Sequence, residues 1–128
     1  FLEEMLRLEP PVQGMFRVAM QDINIENTFI PKGADLWLLY AAANRDEISF
    51  TCPHQVDINR ESLSEHLSFG SGPHVCIGAN LAREVAQSTI CELLDQTEDI
   101  VCDQNSEELV MESSYIMHGF CELPILLK

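Results

Sequence analysis

The chain has 128 residues, a length that suits one domain or part of one. Hydrophobic residues make up 46% of it, enough for a core and too many for wholesale disorder. Against 7 basic residues stand 21 acidic ones, a net charge of -14 that excludes the electrostatic attraction DNA, RNA or an anionic lipid surface would need.

The first residues, 1–8, predict a short helix, because Leu2, Met5, Leu6 and Leu8 recur near helical spacing. They are too acidic for the basic start of a signal peptide, and Phe1 is not an initiator methionine. The expectation is a start inside a longer protein. Pro10-Pro11 ends the helix, since proline lacks an N–H and disfavours helix in the residue before it. Residues 15–30 predict strand pieces around Phe16, Val18, Ile23, Ile25, Phe29 and Ile30, followed by a turn at Pro31-Lys32-Gly33. Residues 34–42, with Trp37 and Tyr40, predict a buried strand. The longest apolar run is Leu36 to Ala43, whereas a bilayer span takes about 20 residues, so no transmembrane helix is expected; the cytoplasmic location that is expected follows from the cysteine usage below.

From Asn44 to His74 periodicity is lost. A loop this long in a compact domain usually serves function. Residues 79–94 return to helical period, with Leu81, Ala82, Val85, Ala86, Ile90, Leu93 and Leu94 assigned to one face. Two last strands are predicted near 108–112 and 119–127, joined at Ser113-Ser114. Beyond Arg83 no Lys or Arg occurs until Lys128, and the acidic residues between read as a solvated surface. The five cysteines, Cys52, Cys76, Cys91, Cys102 and Cys121, are odd in number and contain no CxxC. That disfavours a disulfide framework or a four-ligand zinc site and fits reduced thiols.

The most informative segment is Phe69-Gly70-Ser71-Gly72-Pro73-His74-Val75-Cys76-Ile77-Gly78. Gly70 and Gly72 permit backbone shapes closed to other residues, and Gly78 leaves room for a flat group against the chain. Cys76 stands just before a predicted helix, whose free N–H groups and dipole favour a thiolate. A thiolate presented this way is suited to ligate a metal.

This string resembles the heme-ligand loop of the cytochrome P-450 family, the heme-thiolate monooxygenases. The family pattern, Phe-Gly-x-Gly-x-His/Arg-x-Cys-x-Gly, is filled at every fixed position by Phe69, Gly70, Gly72, His74, Cys76 and Gly78. Further strings follow the family's order. Glu4-Met5-Leu6-Arg7 matches its Glu-x-x-Arg, whose members share a helix face. Ala43-Asn44-Arg45-Asp46 matches its Ala-Asn-Arg-Asp, followed here by Glu47 where proline is usual. The position of the third partner of the Glu–Arg pair, often an arginine, aligns with Gln55, and Val56 stands where phenylalanine is usual.

The resemblance implies an α+β fold: the C-terminal part of a mostly helical domain, with short helices, small sheets and a long irregular heme loop. It implies heme (iron protoporphyrin IX) as cofactor and Cys76 as its catalytic iron ligand, a thiolate that favours O–O cleavage. His74 and Arg17 would meet heme propionates, and Phe69 would pack beside the thiolate. Gly70 and Gly78 would complete the loop, and Glu4 with Arg7 would brace the fold. Val12 and Phe16, with Met15, and Ile116 and Met117 at the C-terminal turn, are the expected substrate contacts. Their apolar character implies a hydrophobic small molecule. O2 and a ferredoxin or flavodoxin-type electron donor are the other implied partners, with Arg60 and Arg83 the chief cations near the loop. The resemblance spans essentially all 128 residues but only the last third of a typical soluble bacterial member, so the oxygen-activating residues are expected outside this chain and the chain alone is expected to be inactive. A non-catalytic heme-binding or heme-sensing module using the same loop is the alternative, and a thiol-reactive redox protein ranks below it.

Overall fold

The computed structural model of the chain describes residues 1–103 and 109–128. Helix α1 spans Leu2–Leu8 and carries Glu3 and Glu4 in its first turn and Arg7 in its last, the polarity that suits its dipole. Four strands follow: β1 (Gly14–Val18), β2 (Ile23–Ile25), β3 (Thr28–Ile30) and β4 (Asp35–Leu39). β1 pairs antiparallel with β4, with Phe16 opposite Trp37 and Met15 opposite Leu38. β2 and β3 form a separate hairpin on which Ile23 faces Ile30.

The stretch 34–42 differs from its sequence-based reading. It stops being a strand at Leu39 and becomes the single helical turn α2 (Tyr40–Ala43), as the strong helix propensity of three alanines favours. Nor is it buried. β1 and β4 form a sheet of only two strands, and Trp37, Leu38 and Leu39 remain exposed.

Residues 44–78 run without regular structure apart from two short 3-10 turns, Leu63–Glu65 and Gly72–His74. Helix α3 then spans Ala79–Gln96. Its inward stripe is Ala79, Arg83, Ala86, Ile90 and Leu93, at spacings of three and four residues. Leu81, Val85 and Leu94, assigned to the same face from sequence, lie off this stripe and are exposed.

At the C-terminal end β5 (Ile100–Cys102), which the sequence-based reading missed, pairs with β6 (Ile125–Leu127). The expected hairpin is present as an isolated bridge between Met111 and Phe120, flanked by Glu112 N–H to Gly119 O at 2.8 Å and Cys121 N–H to Val110 O at 2.9 Å. The predicted strand 108–112 begins outside the described residues. No helix among the described residues is long and apolar enough to cross a membrane.

Candidate active site

The irregular segment is held by a buried charged hub on α1. Glu4 and Arg7 have no solvent exposure. The Arg7 guanidinium donates from Nε and Nη2 to the two Glu4 oxygens at 2.7 and 2.8 Å, a fork-on-fork pair. Its remaining donors reach the carbonyls of Asn44 (2.7 Å), Pro53 (2.8 Å) and Gln55 (3.4 Å). The Arg7 guanidinium also lies 5.1 Å from the centre of the Phe50 ring. Hydrogen bonding by Arg7 outweighs the desolvation penalty and pulls the Glu4 carboxyl down to about 2.

A third cation joins this hub. Arg60 Nε lies 3.4 Å from Glu4 Oε1, and its other nitrogens donate to the carbonyls of Thr51, Cys52 and Gln55. Gln55 had aligned with the third position; only its backbone carbonyl takes part, and the arginine comes five residues later. Sequence held the signal, an arginine at the end of the same string, but reading it needed the path of the loop. Arg60 is therefore a buried structural cation rather than a surface one.

Asn44 ties the hub to the cysteine loop. Its amide donates to Arg7 O (3.1 Å) and Ser68 Oγ (2.9 Å), and its carbonyl oxygen accepts from Leu67 N–H (2.6 Å). Ser68 Oγ donates to Leu6 O at 2.7 Å. The residues leading into Phe69 are thus fastened to α1 and to Asn44, at the end of α2, by a network of four hydrogen bonds, and the Ala-Asn-Arg-Asp string acquires a physical task.

In the loop itself Gly70 and Gly72 both take φ of +71°, a region in which a side chain is strained. Cys76 N–H donates to Phe69 O at 2.8 Å, closing the loop on itself. Cys76 is exposed and stands two residues before the N-cap of α3, Gly78.

The loop forms one wall of a cavity of about 540 Å³. Leu6, Pro11, Val12, Met15, Phe69, Ala82 and Ala86 supply apolar lining, and Tyr40, Ser68, Gly70, His74 and Cys76 complete it. This brings together Cys76, His74, Phe69, Gly70 and Val12 from loop and link segments more than fifty residues apart in sequence. Five expected residues stand off the lining. Phe16 is removed from the wall by strand alternation: it faces away from Met15 and stacks on Trp37 at 5.7 Å. Arg17 shares the Met15 side of β1, two residues further on, and donates to Phe16 O at 2.8 Å. Ile116 and Met117 lie beside Val12, through a Val12–Met117 bridge and Gln13 N–H to Ile116 O at 2.7 Å. Gly78 abuts the sulfur instead of lining the space: a Cβ there would meet Sγ at 3.9 Å. Tyr40, Leu6, Ala82 and Ala86 were not foreseen; Tyr40 had been placed inside a strand.

A soft sulfur donor on the wall of an apolar cavity, with one imidazole beside it, fits a flat apolar macrocycle whose iron accepts a thiolate. It does not fit a hard, oxygen-ligated cation.

Comparison with known proteins agrees. The Cytochrome P450 family model matches residues 1–127. Cytochrome P450 107B1 of Saccharopolyspora erythraea is 38% identical over 125 residues, which are 97% of this chain and 31% of that protein. The biotin biosynthesis cytochrome P450 of Bacillus subtilis is 50% identical over 95 residues, 74% of this chain and 24% of that protein. Among solved structures, P450BioI in complex with an acyl carrier protein ligated to hexadec-9Z-enoic acid has a TM-score of 0.92 at 39% identity, covering 99% of this chain and 32% of that one. CYP109E1 from Bacillus megaterium in complex with testosterone has a TM-score of 0.91 at 32% identity, covering 97% and 34%. The chain spans roughly a quarter to a third of the length of these relatives. With its α+β architecture and its loop accounted for by the same match, the chain belongs to the cytochrome P450 family, whose members bind heme iron.

Proposed function

We propose that residues 1–128 are the C-terminal portion of a single heme-thiolate monooxygenase domain, in which Cys76 supplies the sulfur ligand to heme iron. The observation that carries this reading is the exposed Cys76 thiol on the wall of an apolar cavity, in a loop bent by two left-handed glycines. Heme bound there would supply the chemistry that side chains lack, insertion of one atom of O2 into an organic molecule. The chain's own residues have other tasks. Phe69, Ala82 and Ala86 keep the thiolate side apolar, so that charges nearby act at full strength. His74 and Arg17 are the groups offered to the carboxylates of the macrocycle. Val12 and Met15 present an apolar surface to a hydrophobic substrate, with Ile116 and Met117 beside them. The structures of relatives bound to a fatty acyl chain and to steroids are in keeping with such a substrate.

Electrons would come from a ferredoxin or flavodoxin-type donor. Arg60 and Arg83 offer that donor little, because Arg60 is spent on Glu4 and loop carbonyls and Arg83 on Glu3. The docking face must draw its charge from elsewhere.

In the full-length protein the reduced carbon monoxide complex should show the red-shifted Soret band of thiolate ligation. Cys76→Ala should abolish that band. A variant that keeps it would assign the ligand to another residue.

A further inference from the structure

Arg83 sits on α3, one turn beyond the residues that follow Cys76, and has no place in the reading above. Its guanidinium lies over the Phe69 ring, with the central carbon 4.5 Å from the ring centre. It is not free to leave. Arg83 Nε and Nη2 donate to the two oxygens of Glu3 at 2.7 and 3.0 Å. The same Glu3 Oε2 lies 2.9 Å from Nε2 of His66, a buried imidazole whose ring centre is 6.1 Å from that of Phe69. His66 Nδ1 accepts from Ser68 N–H at 3.2 Å, which places the ring proton on Nε2, facing the carboxylate. A helix (α1), a loop and a second helix (α3) therefore converge on one aromatic ring. Through Cys76 N–H to Phe69 O, that ring belongs to a residue bonded directly to the thiol-bearing one.

We propose that Arg83, held by Glu3 and His66, is a positioning residue that fixes the Phe69 ring beside the Cys76 thiolate. The proposal rests on the heme-thiolate reading. A guanidinium suits the task because it is planar, stacks on an aromatic face and engages a carboxylate with two parallel bonds; an ammonium does neither. Phe69 and Cys76 line the same cavity, so with heme covering that wall a fixed ring would keep water from the sulfur. Once the ring is loose, water donates hydrogen bonds to the thiolate and withdraws electron density from it, and the heme potential rises. Arg83 thus acts on the iron only through Phe69.

Equilibrium potentiometry of the full-length, heme-loaded protein tests this by a double-mutant cycle. Arg83→Lys and Phe69→Ala should each raise the midpoint potential while heme content is kept. The combined variant should match Phe69→Ala alone. Shifts that add, a fall in potential, or wild-type potentials in either single variant overturn the proposal. Should Arg83→Lys fail to load heme, Glu3→Gln, which frees the guanidinium but keeps it, is judged by the same cycle. A wild-type protein without the thiolate Soret band would overturn the heme-thiolate reading and this one with it. A normal band with unmoved potentials overturns this one alone.

Discussion

Arg7 illustrates how one side chain organises a loop of thirty residues. Each of its nitrogens has a partner, and those partners lie on α1, at Asn44 and on either side of His54. The carbonyls it caps belong to backbone without helix or sheet, whose polar groups need a donor once buried. Removing the guanidinium leaves Glu4 buried and ionised with Arg60 as its remaining cation. Breaking such a pair costs about 3–5 kcal/mol, against about 0–1 kcal/mol for an exposed one. Arg7→Ala in the full-length protein is therefore expected to lose heme incorporation and soluble expression. Heme content per protein and the yield in the soluble fraction check this; a well-expressed, heme-loaded Arg7→Ala protein would mean that Arg60 and the Asp57 N–H suffice to hold Glu4.

At the scale of elements, the β1–β4 pair places Met15 on the cavity, and its spacing hangs on Gly14. A Cβ built there would stand 2.4 Å from Leu38 O and 2.6 Å from Trp37 Nε1. The first contact is backbone on the partner strand and cannot yield without opening the pair. Gly14→Ala should destabilise the full-length protein by about 1–3 kcal/mol, the usual cost of overpacking. It should also weaken the binding of an apolar ligand, because Met15 follows directly. Gly119→Ala is the control, since a Cβ there meets nothing within 4 Å. Urea midpoints and ligand-induced Soret shifts of the two variants make the comparison, and equal midpoints would show that β1 and β4 separate at little cost.

For the molecule as a whole, surface area is the telling quantity. The chain exposes 9844 Å², whereas a compact monomer of its mass would expose about 6,800 Å². Large apolar side chains contribute to the excess: Met20, Ile48, Ile77, Leu81 and Tyr115 are all more than two-thirds exposed. Among the described residues the buried apolar side chains are Leu8, Pro10, Ala19, Phe50, Pro53 and Ala79, a small set beside the buried polar hub. These 128 residues expressed alone should bind an apolar dye, unfold without a sharp transition and give no oxygenated product. Mass spectrometry after incubation with heme, a reductant, a redox partner and apolar substrates checks the last point. No product is expected because an open site leaks reactive species and weakens the charges that direct them; product that depends on Cys76 would mean that one-third of the usual length suffices for catalysis.

Local chemistry was legible from sequence wherever neighbours along the chain decide it. α1 ends where Pro10-Pro11 requires, α3 forms where a helix is predicted after the cysteine, and the cysteine loop is written out in ten consecutive residues with glycines where φ is positive. What depends on residues distant in sequence was decided by the tertiary structure. Arg60 rather than Gln55 reaches Glu4 because loop geometry, not alignment, carries a side chain to a buried carboxylate. Phe16 leaves the cavity and Met15 enters it because pairing with β4 fixes which face of β1 turns inward. The apolar residues of α3 divide between two sides because a helix buries the stripe its neighbours cover, and Arg83 lies on that stripe with a carboxylate and a ring to receive it. Composition marks a residue as charged or apolar; only the assembled neighbours determine what that charge or that surface meets.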